Sequence, residues 1–94
     1  MNSAAEMISL VLDSVTWEIP VDLVRLQRDW DAANAACSAA AAGDDAALLN
    51  AARARLLDLT LELHRDPWLA GHQQDGRRYA ADRALKRAAR NIEG

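Results

Sequence analysis

A chain of 94 residues that is 51% hydrophobic and 27% charged has the length of one domain, spanning 1–94, and an ordinary globular composition. It holds no apolar run long enough to span a bilayer, and its one cysteine, Cys37, excludes an intramolecular disulfide and suits a reducing cytoplasm. The net charge of −3 is uneven: residues 1–47 carry eight acids and two arginines, residues 48–94 six acids and nine basic side chains. That asymmetry bears on partners, or draws the two ends of the chain together.

Alanine, the cheapest residue in a helix, dominates stretches such as AANAACSAAAA at 32–42. Valine and isoleucine are too scattered to build a sheet. The expected fold is all-α, a three- to four-helix bundle built on a long antiparallel helical hairpin. The richness in alanine and arginine, with Lys86 the sole lysine, also fits the codon usage of a GC-rich bacterial genome.

A first helix is expected over about 4–14. Ser3 and Glu6 fit a capping box, and Met7, Ile8, Val11 and Val15 fall at helical spacing. No basic residue precedes MISLVL, the first being Arg25, so no secretory signal is expected. Val15 to Ile19 alternates and reads as extended. Pro20 disfavours a helical Ile19 and suits the start of a new helix.

The second helix is expected over about 21–42, on a seam of Leu23, Leu26, Trp30, Ala33, Cys37 and Ala40 that steps by three and four. Gly43 is placed as its left-handed cap and Asp44 as the N-cap of the next helix. The third helix, about 45–64, repeats the step with Leu49, Ala52, Leu56, Leu59 and Leu63, leaving Leu48, Leu57 and Leu61 off the seam. The short connection forces an antiparallel hairpin of rods roughly 30 Å long.

Asp66-Pro67 reads as an N-cap followed by proline at the first helical position. Gly71 and Gly76 bracket HQQD, expected as a polar loop. The last helix, about 77–92, puts Ala81, Leu85, Ala88 and Ile92 on one face and Arg83, Arg87 and Arg90 on another, with Lys86 beside Arg90.

Little of this supports catalysis. His64, His72, Asp66 and Asp75 match no standard zinc spacing, and the only cysteine lies on the second helix. His64-Arg65-Asp66 echoes a kinase catalytic loop by chance, in a chain far too short for a kinase. Cys37 sits among alanines with no base nearby in sequence, as a small buried residue would. An all-helical enzyme needs polar side chains converging on a pocket, and the seams here are apolar. No catalytic residue, metal or cofactor is expected.

The pattern Trp17-Glu-Ile-Pro20, then Trp30, an alanine-rich helix, Ala42-Gly43-Asp44 and a leucine-alanine helix resembles the CATRA-associated small proteins. These are helical accessory components of bacterial conflict systems built around caspase-like or CHAT peptidases. The resemblance covers about residues 15–60. It implies a non-enzymatic adaptor or regulator beside a larger effector, in anti-phage defence, and it carries over no catalytic residue.

The function expected is therefore protein–protein interaction, as a small adaptor or regulatory subunit in the cytoplasm. Tryptophans are core anchors when buried and binding hot spots when exposed, and the hairpin has more apolar surface than its neighbours can cover. The expected contact residues are Trp17, Trp30, Leu57, Leu61 and Trp68. The partner is a larger protein or a second copy, and no membrane is involved. The alternative is a nucleic-acid-binding regulator whose basic face is Arg83, Lys86, Arg87 and Arg90, set against the acidic net charge and the lack of a helix-turn-helix pattern.

Overall fold

The segment MISLVL-DS-VTWEIP forms a β-hairpin, so the fold is not all-α. In the computed structural model, which describes residues 6–91, strands β1 (Met7–Leu12) and β2 (Val15–Pro20) pair antiparallel. Four helices follow: α1 (Val21–Ala41), α2 (Ala46–His64), α3 (Pro67–Gln74) and α4 (Arg78–Asn91). The chain is 72% helical over those residues, and the expected helix over 4–14 is replaced by β1. Ser3 of the supposed capping box lies outside the described residues, as does Ile92.

The reason lies in the turn and in β2. A run of six apolar residues fits a strand as well as a helix. Two residues beyond it stands VTWEIP, whose alternation drives Trp17 and Ile19 inward and leaves Thr16 and Glu18 exposed. Asp13 and Ser14 both take positive φ, 53° and 67°, which makes the type I′ turn that matches strand twist. A non-glycine residue in the left-handed region is strained. Ser14→Gly should therefore raise stability by about 0.5–1 kcal/mol, read as a higher melting temperature.

Helices α1 and α2 lie antiparallel along the three-four seams, with Leu23, Ala33, Ala40 and Leu59 buried and Leu26, Trp30, Cys37, Leu49, Leu56 and Leu63 half-buried. Their connection differs from expectation. Gly43 is not left-handed, since Gly76 is the positive-φ glycine among the described residues. The helix ends instead through Ala42 in a right-handed conformation, with Gly43 N–H donating to the Ala40 carbonyl at 3.1 Å. The N-cap of α2 is Asp45 rather than Asp44. Its carboxylate accepts from Leu48 N–H at 3.1 Å.

The principal core sits at one end of the molecule, whose extents are 45 × 29 × 28 Å. Trp17 and Ile19 of β2, Leu23 and Val24 of α1, and Leu69 of α3 meet Ala81, Ala84, Leu85, Ala88 and Ala89 of α4. Four alanines on one face let α4 approach its neighbours closely. Leu63 is the one α2 side chain packed against this cluster, and Leu59 is the one residue that α2 buries. The far half of the α1–α2 hairpin thus stands away from the core as an arm.

The stretch that holds both histidines is a helix junction. Asp66 caps α3 by accepting from Trp68 N–H at 2.9 Å and Leu69 N–H at 3.2 Å, with Pro67 at the first helical position. The expected HQQD loop is largely helical, because α3 runs on through Gly71 to Gln74. It stops in a Schellman motif: Arg77 N–H donates to the His72 carbonyl at 2.8 Å and Gly76 N–H to the Gln73 carbonyl at 3.1 Å, with Gly76 at φ 73°. The two glycines therefore do opposite things. Gly71 has open space where a Cβ would go, so Gly71→Ala should stabilise by about 0.5–1 kcal/mol. Gly76→Ala should destabilise by about 1 kcal/mol. Thermal melts of the two variants moving in the same direction would contradict this.

Candidate protein interface

The surface left over after folding lies mainly on α2. Its seam residues face α1, and the opposite side is bare. Leu57 is 58% exposed and Leu61 41%. Ala54, also exposed, precedes Leu57 by three residues, and Ala47 lies seven further back on the same helix face, with exposed Asn50 between the two alanines. Exposed Arg53 borders this stripe on one side and exposed Asp58 on the other. Leu48 is 57% exposed. It lies half a turn around the helix from Leu57 and does not join the stripe.

The three tryptophans of the expected contact set are elsewhere. Trp17 is 5% exposed, a core residue with no surface to offer a partner. Its alternation partner Ile19 carries it inward with β2, and Arg77 covers its ring at 4.8 Å. Trp68 is half-buried. It stacks edge-on against Trp17 at 6.1 Å and His72 at 4.5 Å, and its indole N–H donates to the Glu18 carbonyl at 3.0 Å. Trp30 is half-buried between α1 and α2, where its indole N–H donates to Thr60 Oγ1 at 2.8 Å. Thr60 in turn donates to the Leu56 carbonyl at 2.8 Å. The free edge of Trp30 borders a groove with Gln27, Leu63, Leu69, Arg78 and Asp82, away from the Leu57–Leu61 stripe. Of the five expected contact residues, only Leu57 and Leu61 share a surface.

The basic face of α4 is partly committed within the chain. Arg83 pairs with Asp13 of the β-turn at 3.0 Å, and Lys86 pairs with Asp82 at 3.0 Å. The first of these ties the acidic start of the chain to its basic end. Arg87 and Arg90 make no ion pair among the described residues. One feature was hidden in the sequence. Packing sets Arg25 and Arg28 of α1 across a groove from Arg90, with Asp29 and Asp31 in the same lining. Tyr79, 77% exposed, lies one turn before Arg83 on that face. Helical spacing alone puts Tyr79 beside Arg83, whereas nothing local could have placed Arg25 and Arg28 opposite Arg90.

Among the described residues no group of three or more His, Cys, Asp or Glu side chains is placed to hold a metal ion. Nor is any helix there long and apolar enough to cross a membrane.

No curated protein matches the chain, and no solved structure does. Residues 22–88, running from the first turn of α1 into α4, match the family described as a domain of unknown function, DUF8825. The match spans the four helices and begins just beyond the β-hairpin. On that match the chain belongs to the DUF8825 family.

Proposed function

We propose that this protein is a non-enzymatic interaction module that docks a larger protein on the outer face of α2. The observation that supports this most is the bare Leu57–Leu61 stripe on a helix that buries a single residue of its own. A monomeric fold gains nothing from two large apolar side chains in water, and contiguous apolar patches commonly mark protein contacts. The charged borders, Arg53 and Asp58, supply the polar rim that such contacts usually have. A partner helix laid along α2 would meet anchors at three-four spacing. The resemblance over residues 15–60 would make the partner an effector of a bacterial conflict system, in the cytoplasm that the lone Cys37 suits. The family match carries no function that bears on this.

The test is affinity purification of the tagged chain from its native host, with and without the α2 substitutions described in the Discussion. A protein that co-purifies with the wild type and is lost with the variant supports the reading. One that binds both equally rejects the α2 surface.

A nucleic-acid role for α4 is the second reading. It is favoured by Arg87 and Arg90, which make no ion pair among the described residues, and by the arginines gathered around Arg90. It requires DNA or RNA binding that weakens steeply with salt and on replacing Arg83, Arg87 and Arg90. Absence of binding at low salt removes it.

A further inference from the structure

The two-residue turn at Asp13–Ser14 settles which backbone groups of β1 point away from β2. A hairpin of this kind closes on a hydrogen-bonded pair, here Leu12 and Val15, and bonded and non-bonded pairs then alternate along the ladder. With Met7 opposite Pro20 and Leu12 opposite Val15, the pairs Leu10/Trp17 and Ile8/Ile19 are bonded. Val11/Thr16, Ser9/Glu18 and Met7/Pro20 are not. Two details agree with this phase. Pro20, which has no N–H, falls at a non-bonded position. Val21 N–H donates to the Glu6 carbonyl at 2.9 Å, where the next bonded pair belongs.

The N–H and C=O groups of Met7, Ser9 and Val11 therefore face outward along the free edge of β1. No other element among the described residues hydrogen-bonds to them. The β2 edge is different. Its Glu18 carbonyl is taken by the Trp68 indole at 3.0 Å, and Pro20 offers no donor. Edge strands are normally protected by lysine, proline, inward charges or bulges. MISLVL has none of these, and Met7 and Val11 on its outer face are 47% and 68% exposed.

We propose that β1 pairs antiparallel with β1 of a second copy, joining the two hairpins into one four-stranded sheet across a two-fold axis. The register follows from the phase. Ser9 stands opposite Ser9 of the second copy, and Met7 opposite its Val11 on either side. These are the residues whose backbone groups point outward, so all of them are satisfied, by about six hydrogen bonds. The outer face brings Met7 against Val11 of the second copy, and the inner face brings Ile8 against Leu10. Neither β1 strand brings a charged side chain of its own into the seam; the nearest charge is the Glu18 carboxylate, which accepts from Ser9 Oγ at 2.6 Å within its own hairpin. Because the β2 edge is interrupted at the Glu18 carbonyl and at Pro20, pairing stops at two copies and does not run on into a fibre.

The full chain, 10.3 kDa, should show twice that mass by light scattering at high micromolar concentration. Ser9→Pro removes an N–H that the β1–β2 ladder does not use, so it should halve the mass while leaving the circular dichroism spectrum unchanged. A second variant covers the case in which proline disturbs the hairpin. In a Cys37→Ala background, Ser9→Cys should cross-link two chains on oxidation, because a bonded antiparallel pair holds Cα atoms about 5.5 Å apart. Thr16→Cys in the same background should stay unlinked. A monomeric wild type overturns the proposal. So does a dimer that survives Ser9→Pro and fails to cross-link at position 9. A dimer abolished by substitutions at Leu57 and Leu61, but not at Ser9, overturns it too and moves the contact to α2.

Discussion

Leu85→Ala should cost the fold about 3 kcal/mol and lower the melting temperature by roughly 12–20 °C. Leu85 is fully buried, at 0% exposure. It is the one large side chain that α4 adds to a core in which its other buried residues are alanines. Its loss leaves a cavity among Trp17, Ile19, Leu23, Val24 and Leu69, and those residues come from three different elements that cannot all move inward. A domain of this size has a total stability on the order of 5–14 kcal/mol, so the variant keeps a much reduced margin. Leu57→Ala is the control. It removes the same atoms from a side chain 58% exposed and should change stability by no more than about 0.5 kcal/mol. Urea denaturation of the two variants makes the comparison. Equal losses would mean that α4 is not docked on the core as described.

The double variant Leu57→Glu/Leu61→Glu should reverse that pattern, with stability nearly unchanged and partner binding lost. Glutamate is a good helix former, and neither leucine packs into the core, so the melting temperature should hold within a few degrees. At an interface each leucine is worth roughly 1–2 kcal/mol, and a buried unpaired carboxylate adds a penalty. Together they should weaken binding on the order of 100-fold or more, measured by titration calorimetry against the co-purified partner. Undiminished affinity would take the docking surface away from α2. A large stability loss would mean that α2 packs against more of the chain than α1 and the edge of the core.

Part of this architecture is readable along the chain. The three-four spacing from Leu23 to Ala40 and from Leu49 to Leu63 marks the faces on which α1 and α2 meet, because a helix repeats every 3.6 residues whatever surrounds it. Asp66-Pro67 marks the start of α3 by capping chemistry confined to four residues. The leucines placed off the seam, Leu48, Leu57 and Leu61, are the ones the structure leaves exposed. The misreadings also have local causes. Leu12 is followed by no glycine, so the left-handed Asp13-Ser14 turn carries no strong signal. Gly71 resembles a helix breaker although its missing side chain meets open space.

What the sequence determined by itself was set by neighbours within a turn or two: helical periods, caps, and the side of each rod that repels water. Tertiary structure decided whatever depended on distant segments. It made MISLVL a strand, because VTWEIP was there to pair with it and α4 to cover its inner face. It buried Trp17, joined Arg83 to Asp13 across the length of the chain, and separated Leu57 and Leu61 from every tryptophan. The physical reason is that burial is a sum over contacts from the whole chain, whereas backbone periodicity is satisfied one residue at a time.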